Sequence, residues 1–221
     1  MSNFPFQVVA FDLDGTLVDT APDLTGALNH ALVALGRTPV SQESVRHMVG
    51  HGVRSLLNRG LGATGGASEA LIDRGFPLFL EYYEGHIADR SHPFPALETA
   101  LDTLAGRGVR LAVCTNKLEA LARELIAALG WEKRFAALVG GDTLAMRKPD
   151  PAPLHEAIAR AGGGRAAFVG DSIVDADTAR AAGLPCVAVS FGFSDRPVEA
   201  LGADIVIDHF DELIPALERL A

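Results

Sequence analysis

Apolar residues fall into short continuous runs separated by stretches of helical spacing. The first run, FQVVAF over 6–11, is rich in Val and Phe and ends at Asp12, which predicts a strand buried on both faces. Thr20 precedes Ala21, Pro22 and Asp23, so it reads as a helix N-cap with Asp23 completing a capping box. Pro22 sits in the first turn, where its missing N–H is harmless. Gly36 stops this helix near residue 35. From 41 to 89 the period is helical throughout. Ser41 caps one helix, a second follows Gly52 with Val53, Leu56 and Leu57 on one face, and a third carries Leu71, Ile72, Leu78, Phe79 and Tyr82.

After His92-Pro93-Phe94-Pro95 the pattern alternates strictly. Helices are predicted over 96–105, 118–129, 151–161, 174–182 and 211–220, and strands over 110–114, 137–139, 166–169, 186–189 and 205–207. Strands joined by helical stretches of 10 to 15 residues imply right-handed crossovers and a parallel sheet covered on both faces. The fold class is therefore α/β, a doubly wound, Rossmann-like parallel sheet. The long helical interval after the first strand reads as an inserted cap over 20–90, with the core formed by 1–19 and 91–221.

Composition narrows the function. The chain has 221 residues, 48% of them hydrophobic, enough for one core with an insertion. Twenty-eight acidic against 19 basic residues give a net charge of −9, which disfavours a nucleic-acid partner because phosphate backbones demand a basic face. No apolar stretch is long enough to span a bilayer, and 1–11 lacks the basic start of a signal peptide, so a cytoplasmic protein with no membrane partner is expected. Cys114 and Cys186 both lie in apolar runs and read as buried, reduced thiols. Composition is compatible with a monomer or a homodimer.

In an open parallel sheet, ligands bind beyond the carboxyl ends of the strands. There the sequence supplies Asp12-Leu13-Asp14-Gly15-Thr16, then Thr115-Asn116-Lys117, then Gly140-Gly141-Asp142-Thr143 with Lys148-Pro149-Asp150 following, and Gly170-Asp171-Ser172 with Asp175. Several carboxylates at one sheet edge repel each other unless a hard cation joins them. Mg²⁺ prefers a few carboxylate oxygens together with water and substrate phosphate, and Asp12, Asp14 and Asp171 are its natural ligands. A carboxylate beside such a cation is a competent nucleophile toward phosphorus, forming an aspartyl phosphate, and a second carboxyl protonates the leaving oxygen and then activates water. Thr115 and the following N–H can bind phosphoryl oxygens, and Lys148 can neutralise phosphate and carboxylates together. The partner is then a small-molecule phosphate ester.

These residues carry a resemblance to the haloacid dehalogenase superfamily of phosphotransferases. FDLDGTLVDT is similar to its first motif, CTN to its second, KPDP to its third and GDSIVDADTARAAG to its fourth. VGGDT followed by RKPDPAP, together with VGHGVRSLL in the inserted helices, resembles the bacterial phosphoglycolate phosphatase family over essentially the whole chain. The resemblance implies Asp12 as nucleophile and metal ligand, and Asp14 as general acid and base that also ligates through its backbone carbonyl. Thr115, Asn116 and Lys148 become phosphate binders, and Asp171 becomes the third protein ligand of Mg²⁺. Asp175 lies behind them, positioning a metal water or Lys148. The implied reaction is hydrolysis of 2-phosphoglycolate to glycolate and phosphate. Relatives often carry Asn between the two cap glycines, where this chain has His51 between Gly50 and Gly52.

A calcium loop fails because positions six and twelve counted from Asp12 are Leu17 and Asp23. His47 and His51 lack the Glu of a zinc helix. Gly162-Gly163-Gly164 lies at the wrong sheet edge for phosphate. Phe76, Phe79, Tyr82 and Tyr83 read as packing within the cap. Arg46 or Arg54, with His51, is the candidate for closing over a substrate carboxylate. A sugar-phosphate phosphatase (for example for N-acetylmuramate 6-phosphate), a pyrophosphatase or a phosphomutase would use the same core. A phospho-receiver domain is disfavoured by length and by the position of the acceptor Asp.

Overall fold

The computed structural model describes residues 4–220. Strand β1 (Val8–Phe11) is fully buried and is followed by a two-residue strand, β2 (Val18–Asp19). Four helices come next: α1 (Ala21–Ala34), α2 (Gln42–Arg46), α3 (Val53–Ala63) and α4 (Glu69–Glu84). Strand β3 (His92–Pro93) then returns antiparallel to β2. This short pair has no alternation to betray it in the sequence, and the helical interval leaves and re-enters the rest of the chain between its strands.

The remainder alternates as expected: α5 (Leu97–Gly106), β4 (Arg110–Cys114), α6 (Glu119–Ala128), β5 (Ala137–Val139), α7 (Ala152–Arg160), β6 (Ala166–Gly170), α8 (Ile173–Ala182), β7 (Cys186–Val189), β8 (Ile205–Ile207) and α9 (Leu213–Arg219). Two single 3₁₀ turns, Val198–Leu201 and Phe210–Glu212, were not anticipated, and the second takes the first turn of the expected last helix.

The six long strands form one sheet in the order β5-β4-β1-β6-β7-β8, every pairing parallel. Side chains alternate across it. Val9 and Phe11 join the apolar cluster that contains α5, α6 and α9, whereas Val8 and Ala10 join the one containing α7 and α8. Burial on both faces is the physical reason β1, β5, β6 and β7 read as unbroken apolar runs. From β1 the chain first builds outward through β4 and β5, then crosses back to β6 on the other side of β1. The strand order therefore reverses at β1, and a crevice opens at the carboxyl ends of β4, β1 and β6.

The expected capping box at α1 is absent. Thr20 has φ −95° and ψ −2° and caps nothing with its side chain; its hydroxyl donates instead to Asp14 Oδ1 at 2.7 Å. Asp23 accepts from Ser91 N and Ser91 Oγ, both at 2.7 Å, and from Arg90 N at 2.9 Å. Partners 68 residues away displaced the local bond, because a buried carboxylate gains more from three donors than from one cap contact. Ser41, in contrast, does cap α2, accepting from Ser44 N.

Candidate active site

Beyond β1 the chain turns sharply: Leu13 O accepts from Leu17 N at 3.0 Å and Val18 N at 3.1 Å, and Gly15 N bonds Val18 O at 2.9 Å. Gly15 sits at φ +85°, and a Cβ there would lie 2.4 Å from Asp171 Oδ2. Gly192 is constrained from the other side, since a Cβ there would meet Asp171 Cβ at 2.2 Å. The two glycines let backbone close around Asp171, whose oxygens accept from Thr16 Oγ1 at 2.9 Å and Phe193 N at 2.6 Å.

Asp12, at the end of β1, Asp171, after β6, and Asp175, in the first turn of α8, are all buried, with one oxygen of each within 4.8 Å of the others. Lys148 enters from the loop before α7, its ammonium 2.9 Å from Asp12 Oδ1 and 2.6 Å from Asp175 Oδ1. Asp175 also accepts from Ser172 Oγ at 2.6 Å and Ser172 N at 3.1 Å, tying it to the residue that opens α8.

Three buried carboxylates thus face one lysine. Burial, more than any neighbour, raises the Asp12 pKa to about 6; Lys148 pulls it down and Asp175 pushes it up. Burial likewise raises Asp171 well above the usual carboxylate range, reinforced by Asp175 and Asp12. Burial alone would lower the Lys148 pKa, but Asp12 and Asp175 outweigh it and hold the ammonium charged. Asp12 Oδ1, although close to that ammonium, has no aligned hydrogen-bond donor among the described residues. Three buried carboxylates against one ammonium, with an Asp12 oxygen that lacks an aligned donor, is the chemistry of a divalent-cation site, and the residues present fit one.

A small, partly open cavity of about 30 Å³ adjoins this cluster. Asp12, Asp14, Thr115, Asn116 and Lys117 line it from the sheet side. Gly50, Gly52, Val49, Val53, Leu56 and Tyr83 line it from the helical interval. Asn116 holds the two sides together, its Nδ2 donating to Gly50 O at 3.0 Å and to Lys148 O at 3.1 Å. Arg46 pairs with Asp19 and stands 5.0 Å over the Phe193 ring, and the imidazole Nδ1 of His47 lies 2.9 Å from Ser194 O.

The expected residues are distributed as follows. Asp12, Asp14, Thr115, Asn116, Gly50 and Gly52 meet at the cavity, with Lys148, Asp171 and Asp175 beside it. Asp175 stands with Asp12 and Asp171 in the carboxylate cluster, whereas the Asp14 side chain turns to Lys117 Nζ at 2.9 Å and Thr20 Oγ1 at 2.7 Å. His51 is half-buried outside the cavity lining; burial and the neighbouring Arg59 lower its pKa. Arg54 does not reach the site, because it pairs with Glu69 at 2.8 Å and Asp73 at 2.9 Å on α4. Arg46 is likewise committed to Asp19.

Two residues in the site were not singled out from sequence. Lys117 is buried, and its ammonium bonds Asp14 Oδ1 and Tyr83 Oη, the latter at 2.7 Å. Burial alone would lower its pKa, but Asp14 and Tyr83 more than offset this. Tyr83, read only as packing, also presents its hydroxyl to the site, and burial raises that phenol to about 12. The signal for Lys117 was its adjacency to Thr115 and Asn116; for Tyr83 there was none short of tertiary structure.

A doubly wound sheet with this cluster at its carboxyl edge defines a class of enzyme. Residues 6–183 match the haloacid dehalogenase-like hydrolase family, and the chain belongs to it. The chain is 48% identical over 217 residues to the phosphoglycolate phosphatase of Mesorhizobium japonicum, covering 96% of each chain. It is 43% identical to the phosphoglycolate phosphatase of Agrobacterium fabrum, covering 98% of this chain and 95% of that one. Among solved structures, it superimposes with a TM-score of 0.89 and 29% identity on a predicted phosphoglycolate phosphatase from Haemophilus somnus 129pt, covering 96% of this chain and 97% of that one.

Proposed function

We propose that this hydrolase is a Mg²⁺-dependent phosphoric monoesterase that converts 2-phosphoglycolate to glycolate and phosphate. The observation that carries the reading is the cavity joining Asp12, Asp14 and Thr115 to Lys117, next to the Asp12, Asp171 and Asp175 cluster. Near-full-length similarity to phosphoglycolate phosphatases supports the substrate. So do the apolar walls at Leu24, Val49, Val53, Leu56 and Leu121, against which the hydroxyls of a sugar would be buried without partners.

Asp12, Asp171 and the backbone carbonyl of Asp14 would hold Mg²⁺, with Asp175 behind them. When bound, the ion supplies positive charge against which a phosphoryl group can approach the carboxylates. Asp12 attacks phosphorus and displaces glycolate, leaving the phosphoryl group on its carboxylate. Asp14 enters the first displacement as the carboxylic acid, its Oδ1 held by the Thr20 hydroxyl and Lys117, and passes its proton to the leaving oxygen. It then takes a proton from the water that hydrolyses the aspartyl phosphate. Lys148 balances charge on Asp12 and Asp175 as the phosphoryl oxygens arrive. The Thr115 hydroxyl and the backbone N–H of Asn116 receive those oxygens, while the Asn116 side chain stays on Gly50 O and Lys148 O.

Residues 20–90 act as a cap over a core of 1–19 and 91–221. Its closure over the site, with Asn116 bonded to Gly50, excludes bulk water during the first displacement. A cytoplasmic location and a monomeric or homodimeric state belong to the same reading. No helix among the described residues is long and apolar enough to cross a membrane. The test is Mg²⁺-dependent phosphate release, comparing kcat/KM for 2-phosphoglycolate and p-nitrophenyl phosphate, with a preference of about a hundredfold expected. Equal low rates on both would refute the substrate and direct the search to sugar phosphates and pyrophosphate.

A further inference from the structure

We propose that the Lys117 ammonium and the Tyr83 hydroxyl together form the carboxylate-recognition site of this enzyme, so that specificity rests on one core residue and one cap residue and on no arginine. The proposal rests on the reading of the substrate as a small phosphorylated acid.

An ammonium carries three N–H donors. Lys117 uses two, toward Asp14 Oδ1 at 2.9 Å and Tyr83 Oη at 2.7 Å, and among the described residues the third has no acceptor. Tyr83 accepts that bond, which leaves its own O–H free; no described residue takes it. Two unspent donors on adjacent groups match the two oxygens of a carboxylate. Both side chains line the cavity that contains Asp12, so the donors lie where the rest of a phosphorylated substrate would extend.

The competing cations are committed. Lys148 sits between Asp12 and Asp175, Arg46 pairs with Asp19, and Arg54 pairs with Glu69 and Asp73. Lys117 is the one cation among the cavity-lining residues, and Leu24, Val53, Leu56 and Leu121 surround it with apolar wall. In such surroundings a neutral substituent leaves both donors unpaired, whereas a carboxylate satisfies them. Tyr83 comes from α4 and Lys117 from the loop after β4, so a bound carboxylate also bridges cap to core. Substrate discrimination and cap closure thereby become one event.

The experiment compares kcat/KM for 2-phosphoglycolate with that for ethyl phosphate, which has the same carbon count and no carboxylate, in wild type, Lys117→Met and Tyr83→Phe. The ratio of the two constants is expected to fall by about tenfold in Tyr83→Phe and by roughly a hundredfold in Lys117→Met, chiefly through KM for 2-phosphoglycolate. Damage to Asp14 in the lysine variant affects both substrates and cancels in the ratio. Tyr83→Phe keeps the ring and its packing, so it tests the hydroxyl even where Lys117→Met does not fold. A wild type that prefers 2-phosphoglycolate, with a ratio that survives in Tyr83→Phe and in any folded Lys117→Met, overturns the recognition site alone. A wild type without that preference overturns the substrate reading, and this proposal with it.

Discussion

Replacing Asp12 by Asn is expected to stabilise the metal-free protein while abolishing turnover. The amide keeps the shape of the carboxyl and stays neutral, so it removes one of the two charges in the cluster that burial penalises, the other being Asp171. Burial raises the Asp12 pKa from 3.8 to about 6 even against the attraction of Lys148. A carboxyl that holds its proton more tightly in the fold than in the unfolded chain contributes stability that is complete below its unfolded pKa. That stability is lost as the pH climbs through about 6. At about pH 8 the rise corresponds to roughly 3 kcal/mol of penalty in the wild type, and none in the amide. For a chain of this length about 2–4 °C of melting temperature accompanies each kcal/mol, so Asp12→Asn should melt roughly 6–12 °C higher at that pH. Thermal unfolding by circular dichroism in EDTA, from about pH 4 to about pH 8, reads the difference directly. The gap should close toward the acid end. A gap independent of pH, or a variant less stable than wild type in alkali, would refute the reasoning. The same penalty is what a bound divalent cation relieves, which places the cost in stability at the functional site.

Four further outcomes are expected. Mg²⁺ should raise the melting temperature of the wild type and should lose most of that effect in Asp171→Asn, because one of the three clustered carboxylates is gone. Lys148→Met should destabilise the protein by about 3–5 kcal/mol in urea unfolding and abolish phosphate release, since Asp12 and Asp175 are left buried without their cation. Arg54→Ala should leave kcat/KM for 2-phosphoglycolate within about twofold, as its guanidinium is engaged by Glu69 and Asp73 away from the cavity. Asn116→Ala should lower kcat/KM by roughly tenfold or more in steady-state assays, because it removes the ties to Gly50 O and Lys148 O that join the helical interval to the sheet side of the cavity.

Much of this protein was legible before its structure. Strands over 110–114, 137–139, 186–189 and 205–207 were bounded residue for residue, because short apolar runs stand out against their flanks; those at 137–139 and 186–189 are buried throughout, while the edge strand at 205–207 is buried only at Ile207. The positions of Asp12, Thr115, Lys148 and Asp171 followed from the rule that ligands gather at the carboxyl ends of parallel strands. Local rules failed where distant chain supplied a better partner: Thr20 turned to Asp14, and Asp23 to Arg90 and Ser91.

The sequence by itself determined the parallel α/β architecture, the helical insertion and the family, since periodicity and closely spaced motifs are local properties of the chain. Only the tertiary structure decided which cation meets which carboxylate. Arg46 and Arg54 were the candidates the sequence offered and Lys117 was not, yet packing of α3 on α4 delivers Arg54 to Glu69 and Asp73, while Asp19 claims Arg46. Packing of α4 over the end of β4 brings Tyr83, 34 residues away, onto Lys117. A charge on a long side chain takes whatever partner the fold sets beside it, and that choice is made by elements far apart in sequence.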